Sequence, residues 1–305
     1  MLSKALLFCF LLLFTLVSFM ILPSNPAQTA PKHDNGEEPD IDLFTVNWKE
    51  AAPHTLFGSL EVRDMLTGLQ GDPLHPAKKG AVLSDLHSIS YGTLKPGAST
   101  TPSRLYRVQG IFYIASGKGI IKSSGTEAPL HEGIGVLLPP GVEFTFANTG
   151  KEPLILYMIE EPIPAGFSPA KKMVVKDDRD FPPSTNLHRA DSSRWLFSLR
   201  DGLSTIVAFD PVIYEPNSMV PPHVHLPGEE EVWIAIDGID IQVGNEHRTL
   251  LPGTAYKVPA NGTTAHANIN TSKNPKRLLW MMKVPVIRMN PPIRKNPADT
   301  PDGLI

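Results

Sequence analysis

Residues 221–238 read PPHVHLPGEEEVWIAIDG, and residues 258–270 read VPANGTTAHANIN. His223 and His225 are separated by one residue, so on an extended strand their side chains share a face. The glutamates Glu229, Glu230 and Glu231 lead into an apolar run from Val232 to Ile236. That run ends at Asp237-Gly238, a hairpin-turn dipeptide. His266 in the second stretch supplies a third imidazole. Three imidazoles with one carboxylate suit a borderline divalent transition metal that keeps one or two positions open.

Working outward, short β-type runs alternate with turn signals on both sides of a Pro-, Lys- and Asp-rich break at residues 161–185. In the first half HSISYGTL, GIFYIASGKG, GVLLPPG, FTFANTG and PLILYMI follow one another, with no amphipathic helical stretch between them. Strands at this spacing predict an antiparallel sandwich or barrel. The two halves also repeat one plan at a spacing of about 120 residues. Lys95-Pro96-Gly97 aligns with Glu215-Pro216-Asn217, and the run from Phe112 to Gly117 aligns with the run from Trp233 to Gly238. Gly133, Pro139 and Asn148 align with Gly253, Pro259 and Asn270. Five anchors in register indicate a duplicated β-domain.

These residues resemble the two motifs of the cupins. His223, His225, Glu231 and Gly238 are similar to the first motif, and Gly253, Pro259, Gly262, His266 and Asn270 to the second. The resemblance implies an all-β fold of two tandem double-stranded β-barrels, of the cupin or jelly-roll type, behind an N-terminal apolar segment. It also implies that His223, His225, Glu231 and His266 bind one divalent transition metal: Mn, Fe, Zn, Ni or Cu. Glu231 is preferred over Glu230 because the strand running to Gly238 keeps its register better than the Leu226-Pro227-Gly228 loop. Glu229 reads as part of a solvated turn. Trp233 follows Glu231 by two residues and shares its inward face. Trp233, Tyr256 and Trp280 are candidates for a pocket wall, and no catalytic acid or base stands out.

The first copy keeps the scaffold but not the ligands. Ser103 and Leu105 stand where His223 and His225 do, Gln109 or Gly110 where the glutamate does, and Phe144 where His266 does. No metal is expected there, and the first barrel interior is either filled or used for something apolar. The expected organisation is residues 31–81 as linker and N-terminal extension against the first domain, 82–163 as the degenerate domain, 164–194 as an inter-domain linker, 195–287 as the metal-binding domain, and 288–305 as a Pro-rich tail.

Composition narrows the partners. The chain has 305 residues, 41% hydrophobic and 19% charged, with a formal net charge of −3, which gives no reason to expect nucleic acid. Its 31 prolines argue against long helices. Ala5 to Leu22 is almost continuously apolar behind Lys4, and as a helix would span about 27 Å, close to the thickness of a bilayer's hydrocarbon layer. With the acidic stretch Asp34 to Asp42 after it, residues 1–30 read as a signal peptide or a membrane anchor that places the body outside the cytoplasm. Cys9, the only cysteine, lies in that segment, so the body has no disulfide. The sequons at Asn261 and Asn270 read as chance matches. The chain is thus expected to be an exported, metal-dependent enzyme on a small organic substrate. A non-catalytic small-molecule or sugar-binding cupin, or a structural barrel stapled by its metal, are the alternatives. The membrane is touched only through the N-terminal segment, and whether the chain forms a homo-oligomer stays open.

Overall fold

The structure is a computed structural model that describes residues 38–185 and 191–284. The apolar segment Ala5 to Leu22 and the tail from Arg288 to Ile305 lie outside the described residues. Among the described residues the one α-helix is the turn Ile41–Phe44, and the other regular elements are strands apart from three 3-10 turns. No helix among the described residues is long and apolar enough to cross a membrane.

Each repeat is a double-stranded barrel, as expected. In the first, Ser88–Leu94, Val108–Ser116, Ile134–Leu138 and Leu154–Pro162 belong to one eight-stranded sheet. A three-stranded sheet of Lys118–Ser123, Thr126–His131 and Phe144–Asn148 faces it. In the second, Ala208–Tyr214, Glu230–Ala235, Thr254–Lys257 and Lys276–Lys283 lie in another eight-stranded sheet. A four-stranded sheet containing Ile239–Val243 and His266–Asn270 faces it. The small-sheet strands Phe144–Asn148 and Ile239–Val243 alternate buried and half-buried residues, the pattern of a sheet with one wet face. Glu230–Ala235 is buried at every position because its other face packs against the first barrel. Phe209, Val232, Ile234, Leu279 and Met281 meet Ile111, Tyr113, Tyr157 and Ile159 in one shared core. Hence the apolar runs FYIA and VWIA are continuous instead of alternating.

The segments outside the barrels are where the structure departs from the sequence reading. The N-terminal extension does not pack on the first barrel alone. Thr45–Asn47 pairs with Thr254–Lys257 of the second barrel, and only the following hairpin, Pro53–Leu56 with Leu60–Gly68, extends the first. The linker behaves as its counterpart. Val174–Asp177 pairs with Ile134–Leu138 of the first barrel, while Asp191–Ser193 joins the second. Each repeat therefore lends its leading strand to the other. A 3-10 turn follows each lent strand, at Trp48–Glu50 and Asp178–Asp180. Its first N–H is accepted by an equivalent glycine carbonyl: Trp48 N–H to Gly253 O at 3.2 Å, Asp178 N–H to Gly133 O at 3.0 Å. Arms of three and four residues carry too little periodicity to announce a partner, which is why the sequence placed one in an extension against the first domain and the other in an inter-domain linker.

A second reciprocal device closes the interface. Glu230 is buried, and its carboxylate accepts from the backbone N–H groups of Ser84 (2.5 Å), Asp85 (3.1 Å) and Leu86 (2.9 Å). Lys257 approaches it at 3.4 Å. The equivalent stretch of the second repeat, Ser204 to Ile206, donates its three backbone N–H groups to the buried Glu161 of the first. Gln109 Nε2 donates to the same carboxylate at 2.5 Å.

Candidate metal centre

His223 and His266 form an isolated antiparallel bridge, in which His223 N–H donates to His266 O at 3.1 Å and His266 N–H to His223 O at 2.8 Å. Mutual bonding of this kind puts both side chains on one face. His225, two residues on, shares that face, and its carbonyl is tied down by Gly262 N–H at 2.8 Å. Glu231 enters from the large sheet. Strand alternation sends it into the barrel and its neighbour Glu230 to the interface, so Glu231, preferred in the sequence, and Glu230 have opposite surroundings.

The structure brings His223, His225, Glu231 and His266 together, with one donor atom from each inside a 4.8 Å span. His266 Nε2 lies 3.1 Å from His223 Nε2 and 3.2 Å from His225 Nε2. Glu231 Oε2 lies 3.0 Å from His225 Nε2 and 2.9 Å from His266 Nε2. Four donors bonding one cation at about 2.1 Å sit about 3 Å apart at adjacent positions, so these spacings fit a shared divalent ion. Glu231 Oε2 also has no hydrogen-bond partner, a buried anion's oxygen left for a cation. His225, Glu231 and His266 are 7%, 3% and 1% exposed, whereas His223 is half-buried and marks the solvent side.

Burial alone would disfavour the charged form of both groups, but each is overruled by its neighbours. The Glu231 and Glu229 carboxylates raise His225 above its ordinary value. His266 and His225 hold Glu231 well below the usual carboxylate range.

A supporting layer orients these groups. His223 Nδ1 is 3.0 Å from Pro221 O, and His225 Nδ1 is 3.3 Å from Glu229 Oε2, which leaves both Nε2 atoms facing inward. Glu229 also accepts from Leu226 N–H at 2.7 Å and is 7% exposed, so it is no solvated turn residue. The sequence misplaced it because three consecutive glutamates look like a wet loop until one knows that the chain reverses there. Trp280 Nε1–H donates to Glu231 Oε1 at 2.6 Å. Trp233 packs 6.3 Å from Trp280 and 6.2 Å from Tyr214, ring to ring, with its own Nε1 unpartnered. Tyr256 O–H donates to Asn268 Oδ1, and Asn268 Nδ2 donates to the Tyr214 hydroxyl oxygen at 3.1 Å. Burial pushes both phenols well above their ordinary value, so they stay neutral. Tyr214 and Asn268 escaped the sequence reading. Period-two alternation through His266, Asn268 and Asn270 could have found the second. Asn270 itself is 2% exposed and ties down the carbonyls of Tyr214, Glu215 and Asn274, which explains that sequon as structural.

The first barrel shows the same frame without the donors. Ser103 and Phe144 make the equivalent two-bond bridge, 3.0 and 2.9 Å. Gly110 occupies the place of Glu231, and a Cβ there would meet Leu105 Cδ1 and Phe112 Cε2, each at 2.6 Å. Leu94, Val136 and Phe146 replace Tyr214, Tyr256 and Asn268, and with Leu105, Phe112 and Phe144 they fill the interior. Two surface depressions lie away from the centre. One is beside Asp40, Glu246 and Arg248, and another lies among Tyr113, Asp178, Arg194 and Arg277.

Comparison with known proteins agrees with this frame. The cupin domain matches twice, over residues 90–160 and 212–282. No curated protein is similar enough to match. Among solved structures, AerE from Microcystis aeruginosa is 16% identical, covering 80% of this chain and 100% of its own, with a TM-score of 0.58. An oxalate decarboxylase from Bacillus subtilis is 13% identical, covering 83% and 79%, with a TM-score of 0.60. Oxalate decarboxylase from Lactobacillus farciminis, in a formate complex, is 13% identical, covering 83% and 88%, with a TM-score of 0.60. At these identities the likeness is one of fold. Two matched domains, one filled barrel and one barrel lined with His and Glu donors make the chain a bicupin, a tandem member of the cupin family.

Proposed function

We propose that the chain is an exported metalloenzyme that holds one divalent transition metal in its second barrel and acts on a small organic molecule. The observation that carries this is the donor cluster itself: three imidazole nitrogens and one buried carboxylate oxygen within 4.8 Å. When bound, the metal would supply Lewis-acid polarisation of a substrate oxygen at whatever position the four ligands leave open. The chain's own residues do the rest. His225, Glu231 and His266 would hold it from inside, and the half-buried His223 would leave the approach on its side. Trp233 and Tyr256 form the wall, and neutral Tyr214, Tyr256 and Asn268 offer hydrogen bonds without adding charge. Small carboxylates are the first substrates to try, because two of the structural neighbours are named for oxalate decarboxylation and one of these holds formate. Export rests on the apolar segment Ala5 to Leu22, and N-terminal sequencing of the protein from fractionated cells tests it.

The deciding experiment is metal analysis of the purified full-length chain against His266→Ala. The native chain is expected to carry close to one ion and the variant almost none, and equal metal in both would remove the assignment. The burial of three ligands favours a second reading, a metal that staples the barrel. Metal removal then lowers the melting temperature, while no small carboxylate perturbs the spectrum of the cobalt-loaded chain.

A further inference from the structure

Resting on the metal reading above, we propose that Trp280 is a positioning residue for the centre: its indole N–H fixes Glu231 as a one-oxygen ligand. A carboxylate has two equivalent oxygens and rotates freely unless something distinguishes them. In this barrel something does. Oε1 accepts from Trp280 Nε1–H at 2.6 Å, while Oε2 has no hydrogen-bond partner and stands 3.0 and 2.9 Å from two of the three imidazole nitrogens. Glu231 is 3% exposed, so water is a poor substitute for the lost donor. The sheet register makes the reach natural. Lys276–Lys283 pairs with Glu230–Ala235 so that Trp280 lies opposite Trp233 and Met282 opposite Glu231. Trp280 is thus the diagonal neighbour of Glu231 on the same face, about 7–8 Å away between backbones, which an indole spans.

The degenerate barrel supplies an independent observation. There Met158 pairs with Phe112, as Trp280 pairs with Trp233, and Gly110 occupies the place of Glu231. The carboxylate and its donor are missing together, as expected if the indole serves the ligand and not the packing alone. The paired partner on the large sheet is apolar where nothing needs orienting, and carries an N–H where something does.

The test uses the full-length chain loaded with Co(II), whose visible spectrum reports coordination. Trp280→Phe is expected to weaken Co(II) binding by about 10–100-fold in chelator competition and to shift the spectrum at saturating metal. A packing role alone would lower the melting temperature of the metal-free protein but leave the saturated spectrum unchanged. If Trp280→Phe does not fold, replacing Trp280 with the isostere benzothienylalanine removes only the N–H, and the same loss and spectral shift are expected. Native affinity and spectrum in the variant that folds would overturn the positioning role while leaving the metal site intact. Co(II) binding that is unchanged by His266→Ala would instead sink the metal reading, and the role of Trp280 with it.

Discussion

Glu229, Glu230 and Glu231 are consecutive, all buried, and have three different tasks. Glu231 faces the imidazoles, Glu230 faces the other barrel, and Glu229 holds His225 from behind. Composition cannot separate them, because what distinguishes them is the direction in which each side chain leaves the backbone. Two predictions belong at this scale. Glu229→Gln removes the charge that orients the Nδ1 side of His225, so metal affinity should fall about 10-fold, measured by chelator competition. Unchanged affinity would mean that Leu226 N–H, not His225, is its main partner. The second concerns pH. His225 is raised above 6.5, so its contribution to metal-free stability is complete below pH 6.5 and fades as pH rises through the higher folded value. Glu231 is held below 4.5, so its contribution is present above pH 4.5 and fades as pH falls through the lower folded value. Melting temperatures of the metal-free chain should therefore show the pair's benefit between pH 4.5 and 6.5. Metal competes with the proton on His225, so affinity should fall as pH drops through that raised value. A metal-free melting temperature that climbs steadily through and beyond that value would contradict the assignment.

At the scale of elements, the barrel strands were legible and the arms were not. The bridge His223–His266 has its twin in Ser103–Phe144, four residues that the resemblance to the cupin motifs matches as His223 with Ser103 and His266 with Phe144. Thr45–Asn47 and Val174–Asp177 are short, and their pairing is set by what they meet across the interface, which no local pattern records. The latches were hidden for the same reason. Glu230 is satisfied by backbone N–H groups of Ser84 to Leu86, and a backbone donor leaves no trace in the sequence. Glu230→Ala strands three backbone donors, Leu86 N–H among them fully buried, and leaves Lys257 beside an empty space, so it should cost about 3 kcal/mol in urea unfolding. Glu161→Ala breaks the twin latch and should cost a similar amount. Gly253 carries the arm's anchor carbonyl at φ +79°, and an added Cβ would collide with Trp48 Cδ1. Gly253→Ala should therefore destabilise the second barrel by about 2 kcal/mol or more, although the residue it strikes precedes the first barrel.

For the whole molecule, the exchanged arms, the paired latches and the shared core make two barrels into one cooperative body. Trp48 shows the coupling in one residue: its backbone N–H binds Gly253 of the second barrel while its ring stacks on Tyr91 of the first, at 4.6 Å. A fragment of residues 195–287, the metal-binding domain as the sequence delimits it, would lose the strand Thr45–Asn47 from its sheet edge. It would also lose the three donors to Glu230 and the apolar face that covers Val232, Ile234 and Met281. Glu230 is next to Glu231 in the chain, so the register of the ligand strand depends on a loop of the degenerate barrel. That gives the first barrel, whose interior is filled by apolar side chains, a physical role: it seats the strand that carries the carboxylate. The full chain should therefore unfold in a single calorimetric transition, with van't Hoff and calorimetric enthalpies equal. The isolated fragment should show no cooperative transition and no specific Co(II) binding, and adding Thr45–Asn47 alone should not restore either. Two separable transitions, or a fragment that binds Co(II) with native affinity, would show that the second barrel organises its centre without the first.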